Sequence, residues 1–206
     1  MIYHMEKKTI INIGRQFGSG GREVALAVGR KLGISVYDNE LITKAAEESG
    51  FSRQLFADID EKKSFFSLSS FFSSSGYSLT DNCVGDNGLF NIQSNVIRGI
   101  AEKESAVFIG RCSDYILREM KCLDVFITAP EEDRIERISR RRGIGRDEAR
   151  ALMEKTDSKR RTYYNYFTFG DWGVAGNYGL CIVSGILGIE GTADLIVDVA
   201  KRMGLA

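Results

Sequence analysis

Five short apolar runs recur along the chain, and their length and β-branched content are typical of buried strands in a parallel sheet. They occupy residues 9–13, 34–37, 106–109, 123–127 and 180–183. The segments between them repeat apolar residues at the spacing of an amphipathic helix, and Val24, Ala25, Val28 and Leu32, for example, share one face. Strands that alternate with helices in this way predict an α/β fold of three layers, with a five-stranded parallel sheet between two layers of helices.

Capping residues indicate where several of these helices begin and end. Gly33 follows the first helix, and either Asp38 or Asn39 is suited to cap the second. Pro130 is expected in the first turn of the helix after the fourth strand, because proline lacks the amide hydrogen that such a position leaves unpaired. A further helix is predicted over residues 147–167.

The composition changes between residues 64 and 88, where serine and phenylalanine dominate. Disordered segments are poor in aromatic residues, so the phenylalanines argue against a fully disordered linker. We interpret the segment as a mobile insertion that packs along part of its length.

The single histidine among the 206 residues, His4, argues against several classes of enzyme. Serine and cysteine hydrolases with a histidine base, and zinc sites built on histidines, would lack their central residue. Phosphoryl transfer remains, because arginines, lysines and backbone amides can perform it.

Charge and cysteine placement narrow the class of protein further. Lys and Arg together number 28, as do Asp and Glu, which argues against a dedicated nucleic-acid binder. No apolar run reaches the ~20 residues that span a bilayer, and the first residues lack a signal-peptide pattern. The four cysteines form no CxxC pair, as in reduced cytoplasmic proteins. We therefore expect one cytoplasmic domain.

A glycine-rich turn at residues 14–21 lies between the first predicted strand and the first helix. Backbone amides in such a turn attract phosphate, and the helix dipole adds to the attraction. Neither common nucleotide motif is matched. Counted from Gly18, the chain continues through Arg22 to Glu23, which stands where GxGxxG needs its last glycine. Gly21 stands where GxxxxGK[ST] needs lysine. A tight turn without a ligand remains an alternative, although the position at the end of a strand favours phosphate.

Two basic features are further candidates for a phosphate site. Residues 134–161 hold eleven Lys or Arg residues and five acids, and arginines suit the charge that develops in phosphoryl transfer. The same stretch is also compatible with a solvated helix face carrying ion pairs such as Glu136–Arg140, or with an RNA-binding patch. Arg111 follows Gly110 at the end of the third strand, where it could grip a phosphate or form a surface ion pair.

Four motifs together resemble the cytidylate kinase-like family. They are IGRQFGSGGRE at residues 13–23, IGRC at 109–112, DSKRRTYY at 157–164 and LGIE at 187–190, and their order and spacing match from about residue 8 to residue 196. The resemblance implies a P-loop NTPase-type fold with a helical monophosphate-binding insertion and a lid. It implies one kinase-like domain over residues 1–206, with a core at 8–50, 105–133 and 178–206, the insertion at about 51–104 and the lid at about 134–161.

The activity that the resemblance implies is ATP-dependent phosphoryl transfer to a nucleoside monophosphate of the CMP or dCMP kind, or to a related small acceptor. ATP and Mg²⁺ would be its cofactors, and small nucleotides rather than membranes or nucleic acid its partners. One alternative is a nucleotide-sensing or regulatory protein that keeps the kinase fold with weak catalysis. A third reading is an RNA-binding protein.

The resemblance also implies roles for individual residues. Arg111 would hold the acceptor phosphate, Asp157 would read the amino edge of cytosine, and Arg160 would assist with both. Lid arginines Arg137 and Arg140 would neutralise the charge in transfer, and no residue is predicted as a metal ligand. The other acceptor-binding candidates are Asp38, Asn39 and Lys44. The ATP phosphates would lie against Arg15, Gly18, Ser19, Gly20, Gly21, Arg22 and Glu23.

Three positions depart from true cytidylate kinases. The resemblance places lysine, threonine and aspartate where this chain has Gly21, Glu23 and Cys112. A cation in the first turn of a helix is unfavourable unless an anion lies nearby, and Arg22 is such a cation. We therefore predict that Arg22, with Arg15 as second choice, takes the place of the lysine and acts in catalysis.

Overall fold

The computed structural model describes residues 8–48 and 83–206. Most of the predicted Ser- and Phe-rich insertion, together with His4, lies outside the described residues. The proposed division into core, insertion and lid stays a prediction, and residues 49–82 of the insertion lie outside the described residues.

Five strands form one sheet in the order β2-β3-β1-β4-β5, and all neighbouring strands are parallel. The strands are β1 (Ile10–Arg15), β2 (Ser35–Tyr37), β3 (Ala106–Ile109), β4 (Leu123–Thr128) and β5 (Leu180–Val183). Each lies within two residues of an apolar run in the sequence, so the predicted five-stranded parallel sheet is confirmed. Because β1 and β3 are parallel neighbours, the loops that follow them lie side by side.

Seven helices accompany these strands in the described part of the chain. They are α1 (Gly21–Leu32), α2 (Asn39–Glu48), α3 (Cys83–Lys103), α4 (Ser113–Ile116), α5 (Glu131–Arg142), α6 (Arg146–Thr168) and α7 (Ser184–Arg202). Gly33 ends α1 in the left-handed conformation, and Asp38 rather than Asn39 caps α2 through the Leu41 amide. Pro130 is the N-cap of α5, one position ahead of the predicted first turn. None of the helices in residues 8–48 and 83–206 has both the length and the apolar character needed to cross a bilayer.

Two apolar clusters cover the two faces of the sheet, as the predicted three-layer fold requires. β1 contributes Ile11 and Ile13 to the cluster that includes Val24 of α1 and Ile196 of α7. It contributes Ile10 to the other cluster, which includes residues of α3 and α4. Successive residues of a strand point to opposite faces, so the two clusters lie on opposite sides of the sheet.

The basic stretch of the sequence forms the helix pair α5 and α6. Ile135, Ile138, Ala149 and Met153 are buried between these helices. Phe17, in the loop after β1, packs against the same small cluster. The helix pair is therefore anchored directly on the glycine-rich loop.

Candidate functional site

The loop between β1 and α1 makes a tight turn that depends on glycine. Gly18 and Gly20 both have φ of +80°, a conformation that other residues rarely adopt. A Cβ on Gly18 would lie 2.9 Å from the Arg134 carbonyl oxygen, and one on Gly20 would lie 2.6 Å from Ile189 Cδ1. Because α1 begins directly after this turn, its first amides have no partner within the helix. The turn thus has the shape and the amides that an anion needs.

Two buried side chains of opposite charge fix the Phe17 backbone in this loop. Asp157 Oδ1 accepts a hydrogen bond from the Phe17 amide at 2.7 Å, and Arg134 Nε donates to the Phe17 carbonyl oxygen at 2.8 Å. Arg134 Nη2 also donates to Asp157 Oδ2, and only 8% and 11% of the two side chains are exposed. Both oxygens of Asp157 are therefore bonded, and α5 and α6 are tied to the glycine turn.

A cleft of about 380 Å³ lies against the glycine turn between α1 and α5, and we call it the loop cleft. Glu23 is the one carboxylate in its lining, and Arg141 forms an ion pair with Glu23. Arg137 Nη1 donates to the Gly18 carbonyl oxygen. The arginines that line the loop cleft are Arg15, Arg22, Arg137, Arg141, Arg142 and Arg160.

Arg22, the first choice to replace the missing lysine, is engaged elsewhere. Its guanidinium forms an ion pair with Asp38 at 2.9 Å, and 55% of the side chain is exposed. Asp38 also accepts from the Leu41 amide, so its carboxylate serves the start of α2 and this ion pair. Arg22 lines the loop cleft from this tethered position.

A second cavity, of about 330 Å³, opens at the carboxyl ends of β1 and β3, and we call it the strand-end cavity. Cationic and aromatic side chains line it together. Its polar lining includes Arg15, Asn39, Arg111, Asp114 and Arg160, and its aromatic lining consists of Tyr163, Tyr164, Trp172 and Tyr178. Such a lining suits a ligand that joins an anionic group to a planar ring.

The backbone that carries Arg111 has an uncommon conformation. Gly110, Arg111 and Cys112 are three successive residues with positive φ, at 70°, 59° and 56°. Non-glycine residues in this region are strained, and such residues cluster at binding sites. The Arg111 guanidinium lies 5.5 Å from the centroid of the Tyr163 ring. A Cβ on Gly110 would overlap Nη1 of Arg15, so glycine at this position leaves room for the Arg15 side chain.

Arg15 and Arg160 line both the loop cleft and the strand-end cavity, and they mark the place where the two meet. Desolvation lowers the pKa of Arg15 well below its usual value, and the charges of Arg160 and Arg111 lower it further. Desolvation also lowers the pKa of Arg160 to about 10, with Asp157 opposing the shift and Arg134 and Arg111 adding to it. Cations that are crowded together in this way are stabilised by an anion placed between them.

Asp114, in α4, is a carboxylate of the strand-end cavity that the sequence analysis missed. The Tyr164 hydroxyl donates to Asp114 Oδ2 at 2.7 Å and is also hydrogen-bonded to the Tyr178 hydroxyl. Burial raises the pKa of Asp114. A signal was present in the sequence, because the aspartate that the resemblance places at position 112 has a counterpart two residues later.

Some of the remaining predicted residues line one of the two spaces, and others line neither. Asn39 lines the strand-end cavity, and its side-chain oxygen is buried without a hydrogen-bond partner in the described part of the protein. Lys44 and Arg140 are exposed, and the Ser19 hydroxyl donates to the Gln16 carbonyl oxygen at 2.9 Å. The predicted site residues that line neither space are Ser19, Asp38, Lys44, Arg140 and Asp157.

Oxygen ligands for Mg²⁺ are scarce around the loop cleft. Its one carboxylate, Glu23, is bound by Arg141, and the nearby Ser19 hydroxyl is bonded to Gln16. Within residues 8–48 and 83–206, no three His, Cys, Asp or Glu side chains form a group that could hold a metal ion. Mg²⁺ prefers carboxylate oxygens and water, and like charges repel it. The residues that line the loop cleft therefore do not fit the ion, since their one carboxylate is paired with an arginine.

Comparisons with known proteins identify a family and a fold. The cytidylate kinase-like family matches residues 10–186. The structure of an uncharacterized protein from Eubacterium ventriosum is similar, with 26% identity, a TM-score of 0.72 and coverage of 94% of this chain and 99% of the other. The sequence has no match among curated proteins.

Two shikimate kinases have the same fold at lower identity. The enzyme from Bacteroides thetaiotaomicron has 15% identity and a TM-score of 0.53, covering 94% of this chain and 98% of the other. The enzyme from Acinetobacter baumannii, in complex with shikimate, has 13% identity and a TM-score of 0.50, covering 96% and 95%. The predicted P-loop kinase fold is thereby confirmed.

Proposed function

This chain belongs to the cytidylate kinase-like family, and on that premise we propose that it transfers a phosphoryl group from a nucleoside triphosphate such as ATP to a nucleoside monophosphate or a related small acceptor. The observation that carries the proposal is the meeting of the loop cleft and the strand-end cavity at Arg15 and Arg160. A phosphoryl group that passes between two bound nucleotides needs such a junction, with fixed positive charge on it.

The two spaces divide the two substrates between them. The loop cleft takes the polyphosphate of the donor, and the strand-end cavity takes the acceptor with its phosphate toward Arg111. An oxygen of the acceptor phosphate attacks the terminal phosphorus of the donor. A new P–O bond forms while the bond from that phosphorus to the bridging oxygen breaks, so that a nucleoside diphosphate results on each side. The attacking oxygen is already anionic, and no side chain has to remove a proton from it.

Arg15 is better placed than Arg22 to take the role of the missing lysine. It lines both spaces and has no hydrogen-bonded or ion-paired carboxylate within residues 8–48 and 83–206, whereas Arg22 is held by Asp38. Arg160 stands beside it, donating to the Arg15 carbonyl oxygen at 3.0 Å. These two arginines would neutralise charge on the oxygens of the group in transfer.

The acceptor that suits the strand-end cavity is a monophosphate with an amino-bearing ring, as in CMP or dCMP. Arg111 supports binding of the phosphate by charge-assisted hydrogen bonds, and the aromatic lining supports stacking of the base. Asp114, oriented by Tyr164, is an acceptor for the amino group of cytosine, which uracil lacks. Asn39 offers a further buried oxygen.

A nucleotide sensor is the second candidate, and one observation favours it. Position 21 is glycine, so the loop lacks the ammonium group that bridges donor phosphates in P-loop enzymes. A sensor would bind nucleotides at the same two spaces and turn them over slowly or not at all.

A screen for ADP release separates these functions. Purified protein would be given ATP and each common nucleoside monophosphate in turn, in the cytoplasmic pH range, with and without Mg²⁺. Turnover with CMP or dCMP supports both the phosphoryl transfer and the proposed acceptor. Turnover with another monophosphate supports the phosphoryl transfer but contradicts the proposed acceptor. Thermal stabilisation by nucleotide without turnover supports the sensor. Salt-sensitive retention of RNA without nucleotide stabilisation contradicts both.

A further inference from the structure

The loop cleft carries a large excess of positive charge. Six arginines and one carboxylate line it, and three of the arginines have carboxylate contacts, with Asp38, Glu23 and Asp157. Arg15, Arg137 and Arg142 make no ion pair with any carboxylate in the part of the chain that the structure describes. The excess of positive charge complements a polyphosphate, and Mg²⁺ would cancel part of the negative charge that these arginines match.

Arg137 is positioned to act on a phosphate at the glycine turn. Its Nη1 donates to the Gly18 carbonyl oxygen, and its Cζ lies 3.8 Å from the place where a Cβ on Gly20 would be. The guanidinium therefore already lies against the turn whose amides would hold the anion. A phosphate there would exchange the neutral acceptor of Arg137 for a charged one, which is the stronger kind of hydrogen bond.

Arg141 is a second guanidinium that a polyphosphate could recruit. It pairs with Glu23 across the loop cleft, but 57% and 36% of the two side chains are exposed, so the pair contributes little stability. Glu23 lies in the first turn of α1, where the helix dipole favours a negative charge after Arg141 has left. The transfer of Arg141 from Glu23 to a phosphate therefore leaves no charge in an unfavourable place.

From these contacts we infer that the loop cleft binds the donor polyphosphate as its metal-free anion, with Arg137, Arg141 and Arg15 taking the charge-neutralising place of Mg²⁺. The inference rests on the proposed function, since it concerns the donor side of the same site. It assigns Glu23 to holding Arg141 in the empty cleft and not to binding a metal.

Calorimetric titration of the full chain with ATP, once in EDTA and once in excess Mg²⁺, tests this inference. We expect ATP to bind in EDTA with a Kd equal to or lower than the Kd in Mg²⁺. Inorganic tripolyphosphate in EDTA should compete with ATP, because it offers the same charge without base or ribose. ATP binding that is tenfold or more weaker in EDTA would overturn the inference and leave the proposed function standing. Absence of ATP binding in both buffers would overturn the proposed function, and the inference with it.

Two variants and a matched control assign the effect to particular side chains. Arg137→Ala should weaken metal-free ATP binding by roughly tenfold or more, through loss of charged hydrogen bonds. Glu23→Gln should tighten binding in EDTA, because Arg141 is then released. Arg30→Gln, on the same helix as Glu23 but paired with Glu190, should leave both Kd values unchanged. If Glu23→Gln instead removes a dependence on Mg²⁺, Glu23 is a metal ligand and the inference is wrong. Arg137→Lys keeps the positive charge at this position. If Arg137→Ala loses its fold as well as its binding, the Kd of Arg137→Lys for metal-free ATP decides instead.

Discussion

Arg134 and Asp157 form a buried ion pair, and each of them also bonds to the backbone of Phe17, one at its carbonyl oxygen and the other at its amide. The pair therefore joins three parts of the chain, α5, α6 and the glycine loop, at one residue. Both oxygens of Asp157 are engaged in these contacts, and Asp157 lines neither the loop cleft nor the strand-end cavity. The structure thus supports a positioning role for Asp157, in contrast to the base contact that the family resemblance implies.

Replacing Asp157 by asparagine should destabilise the protein more than it changes specificity. Asp157→Asn leaves Arg134 buried without its counter-charge, and breaking a buried pair in this way costs about 3–5 kcal/mol. We expect the free energy of unfolding in urea to fall by about 3 kcal/mol or more, while the preference for CMP over UMP is kept. Asp147→Asn, exposed at the start of α6, is the control. Lost discrimination with unchanged stability would return Asp157 to the base-reading role.

Removal of the Arg111 guanidinium should weaken binding of the acceptor and leave binding of the donor unchanged. Arg111→Ala is expected to reduce monophosphate binding by about 2 kcal/mol, roughly thirtyfold, because charged hydrogen bonds to phosphate are lost. Steady-state kinetics with varied acceptor, or titration with the monophosphate, would measure this. Arg118→Ala is a suitable control, since Arg118 is half exposed and stacks on Tyr115. An unchanged acceptor KM and kcat would contradict the placement of the acceptor phosphate.

Arg15 and Arg22 should respond differently to substitution. Arg15→Ala removes a cation whose pKa is lowered by desolvation and by two neighbouring arginines, so the protein without ligand should be as stable as before or more stable. The same variant should lose most of its turnover. Arg22→Ala breaks an exposed ion pair with Asp38 and should lower stability by less than about 1 kcal/mol, with turnover largely retained. Thermal unfolding and single-turnover rates of both variants would test this difference. If Arg22→Ala loses more turnover than Arg15→Ala, Arg22 is the replacement for lysine.

Asp114 should make the stability of the protein fall as the pH rises through a defined interval. Because burial raises its folded-state pKa, the folded protein binds more protons than the unfolded chain between the two pKa values. The contribution of Asp114 is therefore fully present below the unfolded pKa of about 3.9 and is lost as the pH rises through the folded pKa. In Asp114→Asn this dependence disappears, and urea unfolding at a series of pH values would show a flatter profile.

The same variant tests whether Asp114 reads the base. An asparagine offers an amide where the carboxylate offered only acceptors, so Asp114→Asn should reduce the preference for CMP over UMP. Glu119→Gln, on the exposed surface after α4, should change neither the pH profile nor the preference. If the preference is unaltered in Asp114→Asn, the cytosine amino group does not contact this carboxylate.

The three central strands, β1, β3 and β4, were predictable because they are buried on both faces, and burial leaves a continuous apolar run in the sequence. The edge strands β2 and β5 are partly exposed, although their runs are also apolar. β3 and β5 begin and end where the runs at 106–109 and 180–183 do. β1 continues to Arg15, beyond its apolar run, since Arg15 still pairs with Ile127 of β4. Hydrogen bonds to a neighbouring strand can keep a polar residue within a strand. The apolar pattern of a single strand does not show these bonds, so the sequence did not predict this end of β1.

The residues at the carboxyl ends of strands were also accessible from the sequence. Gly18, Gly20 and Arg111 follow apolar runs in the sequence, and each lies at one of the two spaces. The partners of Asp157 were not accessible, because the Phe17 amide is 140 positions away and no spacing rule connects them. The contact of Asp114 with Tyr164 was not accessible for the same reason, since Tyr164 lies in α6, 50 positions later.

Arg15 and Arg160 line both the loop cleft and the strand-end cavity, so in the proposed reaction the donor and acceptor sites would be thermodynamically linked. Whichever anion binds first screens part of the charge that the second would meet, so each substrate should lower the affinity of the other by the same factor. This antagonism would be relieved as the phosphoryl group moves between the sites, since both guanidiniums could then act on the same charge. The junction would in this way raise the energy of the doubly bound ground state while favouring the state in which transfer occurs.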